Sequence, residues 1–523
     1  MTRLMFALSL ALGLGGATAT GGHSAHAAGS ICVGSQHGCY QTIQAALVAA
    51  QEGDRITVGP GTYAGGFVIG KSLQLKGASA DVTVISGGGP VVTIGVAGAA
   101  SEPTVSIAGV TIRDGINAGD STFAAGGGIL IPAAAGGATG ATVTVIDSVI
   151  TGNRATPTVA APIGPPCPGG PCGFARGDGG GIASWGKLAL LRTTVSGNKA
   201  GGPVASDAHG GGIWSAGVAT LTLEDSTVTE NRSTVVAPNG RFAIGGGVHI
   251  GDGGGLTIEN SVIADNSAAL SSELPAGVHM LANGGGIHVG DDSTVTIENA
   301  RIDRNAVILD APDADVAGFD SGMIVGASSL VLRNSTVSDN RVLANVGSSA
   351  DSGASGSALE FDGTATIRNT RITGNTATVT SETGTAAAAG AVAAFSPAGP
   401  ALIGNSVISG NVMSAASTAG PATVQGGGIV NNGFLELRND RIGDNTGTAT
   451  GSSGFAQGGG IWNGVLFNPP PFELTLANTI VTRNSVSASP GLIVQGGGLF
   501  SEFSVTLENS RIEKNKPDEC VGC

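Results

Sequence analysis

Aromatic side chains are scarce in this sequence, 4% of 523 residues, and charged ones make up only 12%. The charge present is lopsided: 24 Lys and Arg against 38 Asp and Glu give a net −14. Nucleic acid and anionic membranes are poor partners for such a chain, although a local basic patch can escape the average. No internal run of about 20 apolar residues occurs, so no transmembrane segment is expected. Glycine is plentiful, 90 of 523, yet it follows no Gly-X-Y period, which excludes collagen. Helical periodicity is missing from nearly the whole chain. What remains is Val, Ile, Thr and Asn in short alternating stretches, the composition of brief strands joined by turns.

Residues 1–27 have the layout of an export signal. Arg3 is the charged start, Leu4 to Leu14 the apolar run, and Ala25-His26-Ala27 the small-x-small cleavage site. An exported product is expected, whether secreted, periplasmic or peripherally held at the cell surface. Six cysteines form three close pairs: Cys32 with Cys39, Cys167 with Cys172, and Cys520 with Cys523. An even count in an exported chain favours disulfides, with zinc held by the two shortest pairs as the competing reading.

The body of the chain repeats itself. "GGGVHIGDGGGLTIENSVIADN", Gly245 to Asn266, is nearly restated by "GGGIHVGDDSTVTIENARIDRN", Gly284 to Asn305. Units close on Asn153, Asn198, Asn231, Asn266, Asn305, Asn340, Asn375, Asn411, Asn445, Asn484 and Asn515. Their mean period is about 36 residues, inside the range of stacked repeat architectures. Three residues before each closing Asn stands Ile or Val, and eight before stands Val, Leu or Ile. Six before, the residue is mostly Asn; five before, mostly Ser or Thr.

Alternation in "LTIEN" is a strand signal, with Leu256 and Ile258 on one face and Thr257 and Glu259 on the other. Each unit also opens with a short strand after its glycines, and a third strand is expected just before the closing Asn. Segments between each Asn and the next glycines read as long loops leaving one corner. Three short strands per unit and one inward aliphatic register describe a coil of a parallel β-helix, in which inward positions become ladders. Two Asn ladders would form at the bends. The glycines suit a corner needing positive φ or close backbone packing. The expected fold is therefore all-β: a single right-handed parallel β-helix of roughly a dozen coils. Residues 28–77 would form the N-terminal cap and first coil, 78–515 the repeats, and 516–523 a Cys-containing tail.

In the cap, Ile43, Ala46, Leu47 and Ala50 share one helical face, which predicts a short helix over about 42–52. This helix and the stretch that follows, Thr42 to Gly77, closely resemble the opening of pectin-lyase-like right-handed β-helices, including pectinesterases. That superfamily holds lyases, hydrolases, esterases, epimerases and non-catalytic surface proteins, so the resemblance implies fold rather than activity. The Gln-Asp, Asp-Phe and Arg-Pro-Trp segments of pectinesterases do not follow. The repeats are similar to those of polymorphic outer-membrane and other bacterial surface proteins, which pair Gly-Gly-x-Ile with a motif ending in Asn. Ile or Val here replaces their Phe before the Asn.

Several side chains are candidates for chemistry. Trp214, His249 and His288 occupy one outward position on successive units, with Asp252 and Asp291 three residues after the two histidines. Two imidazoles on neighbouring rungs can share a metal such as zinc, a His with an Asp can run acid–base chemistry, and Trp214 can stack on a sugar ring. The bland alternative is a polar ladder left by duplication. Glu224, Glu259 and Glu298 form a similar file that could hold calcium, or simply face solvent. No cofactor is required by the pattern. The sequence thus predicts a monomeric, adhesin-like, non-catalytic protein binding an extracellular glycan or protein through its stacked loops. The alternative is a polysaccharide lyase or glycoside hydrolase using the Trp214/His249/His288 face; a convergent groove of His, Asp and Arg would favour that alternative.

Overall fold

The computed structural model describes residues 29–523 apart from 101, 120–121, 161–174, 237–239, 272–279, 312–315, 320–321, 347–352, 397–398, 400 and 467–471. The export segment lies outside the described residues. So do Cys167 and Cys172, and the disulfide expected between Cys167 and Cys172 falls outside them too. The chain winds as a parallel β-solenoid, with every strand pairing parallel and adjacent coils in register.

One coil shows the plan. Ile213–Ser215 follows the glycines and Thr220–Glu224 follows a turn; both join a 27-stranded sheet, here the wide sheet. Thr227–Thr229 joins a 14-stranded sheet. Arg232–Val235 then leaves in an 11-stranded outbound sheet, and Phe242–Ile244 comes back in an 11-stranded returning sheet.

The last two sheets correct the expectation of three strands and a long loop. Among the described residues, much of each segment after its Asn is strand in these two sheets and not loop. These segments look loop-like because many of their buried side chains are tiny. Ala155, Ala200, Ala208, Ala243, Ala268 and Ala282 are all fully buried. A Cβ at Gly177 would stand 2.5 Å from both the Ala155 carbonyl and the Gly201 amide. Only small residues let two sheets pack that closely.

A single apolar cluster runs from Val33 to Leu499. The residue three before each closing Asn except the last, from Ile150 through Val195, Val228 and Ile263 to Val481, is completely buried. Each such side chain contributes about 1.5–3 kcal/mol by leaving water. The closing asparagines form the expected ladder: Asn231 Nδ2 donates to Asn266 Oδ1 at 3.0 Å, and the Asn231 backbone N–H donates to the same oxygen. The second Asn position has another cause besides laddering. Asn260, Asn299 and Asn334 have φ of 49–53°, a left-handed conformation that Asn tolerates better than most residues.

The helix is present as Ile43–Ala49, capped by Thr42 Oγ1 accepting from the Ala45 amide, and it buries Ile43, Ala46 and Leu47 against the first coils. The expected C-terminal tail is part of the solenoid, since Cys520 pairs with Leu499 at the sheet edge. Of the three expected cysteine pairs, the two within the described residues are disulfides: Cys32 is bonded to Cys39 and Cys520 to Cys523. No helix among the described residues is long and apolar enough to cross a membrane.

Candidate functional site

The corner between the returning and wide sheets is made by the glycine triplet. Gly179, Gly210, Gly245 and Gly284 have φ of 58–61°, bending the chain so that outward faces on either side converge. The third glycine lies on the Asn ladder: a Cβ at Gly212 would stand 2.9 Å from Asn231 Cγ. These contacts make the corner a concave strip along the solenoid.

Trp214, His249 and His288 stack on one outward ladder of the wide sheet, as the repeat spacing predicts. Across the corner, the residue just before each triplet forms a second ladder, Ala125, Asp178, His209, Ile244 and Asn283. The two ladders meet. His209 stacks on His249 with centroids 5.2 Å apart, and His249 on His288 at 4.9 Å. The Arg176 guanidinium lies 5.5 Å from the Trp214 ring centroid.

Asp178 is the hub of this corner. Its Oδ1 lies 3.1 Å from His209 Nδ1 and accepts from Arg176 Nε at 2.7 Å, while its side chain is wholly buried. His209 retains a 13% exposed side chain. On the neighbouring position Asp207 is pushed up by burial, opposed by the nearby His209, Ser206, Arg176 and Arg241.

His249 and His288 have a different character. Burial, then the neighbouring His288, His209 and Arg176, hold His249 well below the ordinary histidine value. Burial and then His209 bring His288 down to about 3. Their Nδ1 atoms, with Trp214 Nε1 and Asn283 Oδ1, are buried and have no hydrogen-bond partner among the described residues.

The remaining candidates separate from this cluster. Asp252 and Asp291 do stack, but in the turn of the wide sheet: Asp252 Oδ1 accepts the Asp291 amide at 3.1 Å, and Asp291 Oδ1 accepts the Ala327 amide at 2.9 Å. They brace the next rung's backbone. Trp214 is only 7% exposed, packed 4.6 Å from Trp185 and capped by Arg176. Glu224, Glu259 and Glu298 form the expected file, continued by Arg333 and Arg368. Among the described residues no three His, Cys, Asp or Glu gather as a metal-holding group.

One coil nearer the N-terminus the same corner opens into a cleft of about 860 Å³. Trp185, Phe123, Ile116, Leu130, Pro90 and Pro132 line it, and among the described residues no charged side chain does. Its Ala125 pairs with Asp178 and its Leu130 with Ala183, so cleft and Asp178 cluster are adjacent rungs of one strip.

A family model described as the right handed beta helix region matches residues 181–522. The chain belongs to this family. No curated protein matches this β-helix chain. Among solved structures it is similar to a pectin methylesterase in complex with a hexasaccharide, at 12% identity and TM-score 0.22, covering 57% of this chain and 88% of that one. Pectin methylesterase PemA from Erwinia chrysanthemi gives 12% and 0.23 over 58% and 90%. The A-module of a mannuronan C-5 epimerase from Azotobacter vinelandii gives 13% and 0.24 over 88% and 94%. At these TM-scores the likenesses carry no argument about the chemistry of this β-helix protein.

Asp178 and Arg176 are the residues that sequence reasoning missed. Their segment, "RGD" before Gly179, reads as loop. Aligning the units on their glycine triplets instead of their closing asparagines would have set Asp178 directly below His209.

Proposed function

We propose that the protein is an exported acid–base enzyme acting on a polysaccharide laid along the triplet corner. One observation carries this reading: His209 Nδ1 and Arg176 Nε converge on a single buried oxygen of Asp178. A carboxylate that accepts from Nδ1–H fixes the imidazole tautomer and leaves Nε2 as the base. Arg176 supplies a cation to steady negative charge developing on substrate. These roles fit β-elimination next to a uronate carboxylate. His209 takes the carbon-bound proton, a C=C bond forms, and the glycosidic C–O bond breaks as the leaving oxygen takes a proton from water, whose hydroxide is neutralised by the proton that His209 then releases. The adjoining apolar cleft offers Trp185 and Phe123 to neighbouring sugar rings.

The second reading is a non-catalytic, adhesin-like binder of glycan or protein. It is favoured by the apolar cleft, where Trp185 and Phe123 can hold a sugar ring or an apolar side chain without any chemistry. Incubating the protein with a panel of acidic and neutral polysaccharides separates the two. Unsaturated or newly reducing products that disappear in His209→Ala support the enzyme; glycan binding without product supports the binder.

A further inference from the structure

The closing asparagines carry a second file of side chains, opposite in character to the histidine corner. Asn153 is followed by Arg154, Asn198 by Lys199 and Asn231 by Arg232, and strand pairing places the three on consecutive rungs. Rungs lie about 4.8 Å apart, so three cations face outward in line. Arg154 and Arg232 are exposed and Lys199 is half-buried.

None of the three has an ion-pair partner among the described residues, in a chain with 38 acidic side chains. Other cations are treated differently. Arg192 pairs with Asp147, Arg304 with Asp265 and Arg483 with Asp444, each across one rung. Glu230 is exposed two residues before Arg232 and forms no ion pair with it. Stacked like charges repel, so the file costs stability. Lys199 registers that repulsion: burial first, then Arg154 and Arg232, hold its ammonium below the ordinary lysine value. Three positions before the cations stand Thr151, Ser196 and Thr229, themselves stacked, with Ser196 Oγ donating to Thr151 Oγ1 at 3.2 Å.

We infer that Arg154, Lys199 and Arg232, with Thr151, Ser196 and Thr229 beside them, form a binding strip for a linear polysaccharide bearing carboxylate or sulfate groups. Cations at regular spacing engage successive anionic groups of one polymer, and each contact raises the effective concentration for the next. The hydroxyls supply hydrogen bonds to sugar oxygens. The strip has no aromatic ring, so it lacks the stacking platform that single-stranded nucleic acid uses. It also stands apart from the histidine corner. Lys199 points away from Ala200 on the outbound sheet and His209 away from Ala208 on the returning sheet, and these buried alanines line the contact between the two sheets. The inference therefore does not depend on catalysis at His209.

The test titrates dextran sulfate, uncharged dextran and single-stranded DNA of matched charge into the full chain at low and high salt. Dextran sulfate is expected to bind, dextran to fail, and salt to weaken the complex. R154Q/K199Q/R232Q is expected to lose about tenfold or more in affinity, while R154K/R232K stays within about twofold. Native circular dichroism and protease resistance of the triple variant separate lost charge from lost fold; should it fail to fold, the exposed single changes R154Q and R232Q each show part of the loss. H209A leaves binding unchanged, which separates the strip from the corner. Wild-type affinity in a folded triple variant, or tighter binding of DNA than of dextran sulfate, overturns the assignment.

Discussion

His209 Nδ1 lies 3.1 Å from Asp178 Oδ1, joining neighbouring rungs of the returning sheet. The relationship is available only because two adjacent units carry an ionisable residue just before their glycine triplets, where the other complete triplets follow Ala, Ile, Asn or Gln. If this pair orients the base, Asp178→Asn should lower turnover by about 10²–10⁴-fold, with substrate affinity little changed. Steady-state kinetics on an active polysaccharide separates these terms. Equal losses in affinity and turnover would mean that Asp178 holds the corner together and does not tune His209.

His249 and His288 should remain neutral across the physiological range. Burial sets the His288 value at about 3, below its unfolded value, so the folded state binds fewer protons than the unfolded chain between those limits. Stability from this group is complete above about pH 6.5 and falls as acid is added through the window down to pH 3. His288→Leu should therefore flatten the acid limb of a pH–stability curve. Histidine NMR signals that titrate near pH 6.5 for both residues would contradict the burial.

Asp440 works in the opposite direction. It stands where the other units, except the one with Ala300, place Ser or Thr; Oδ1 accepts the Ser406 amide at 2.7 Å and Oδ2 has no partner among the described residues. Burial, opposed by backbone amides, raises it to about 7. A raised folded value means that its stabilising effect is full below the unfolded carboxylate range and is lost as pH rises to about 7. Asp440→Ser restores the ladder's usual hydroxyl. It should be more stable than the native protein at pH 8 by about 1–3 kcal/mol, with the advantage shrinking at pH 4. Denaturant melts at the two pH values check it.

The Asn ladder predicts a local lesion. Asn266→Ala removes the oxygen that accepts both the backbone N–H and the Nδ2 of Asn231. Leaving those buried donors unpaired costs about 1–3 kcal/mol per group. Coils of a solenoid contact mainly their neighbours, so faster hydrogen exchange should be confined to the coils flanking Asn266. Loss of protection along the whole chain would show a more global cooperativity.

Much of this architecture is legible in the sequence because ladder positions are chemically extreme. Ile263 and Ile302 must be aliphatic and Asn266 and Asn305 must be amides, so the period stands out and the coil follows. The outbound and returning sheets are hidden because their contact needs only smallness: Ala200, Gly201 and Ala208 read as loop composition. The same smallness hides the site. Trp214, His249 and His288 share one ladder as their spacing predicts, but Asp178 and Arg176 join them only across a bend whose strands look like loop. Asp252 stands three residues after His249 and reads as its partner in the sequence, whereas a turn carries it onto the next rung's amide.

The most direct measurement of the central claim is turnover of an acidic polysaccharide panel by the wild-type chain and by His209→Ala, with binding followed in parallel. The account predicts unsaturated product from the wild type, loss of product in the variant and retained polysaccharide binding in both. Product that persists in His209→Ala would contradict it, as would binding by the wild type with no product from any polysaccharide.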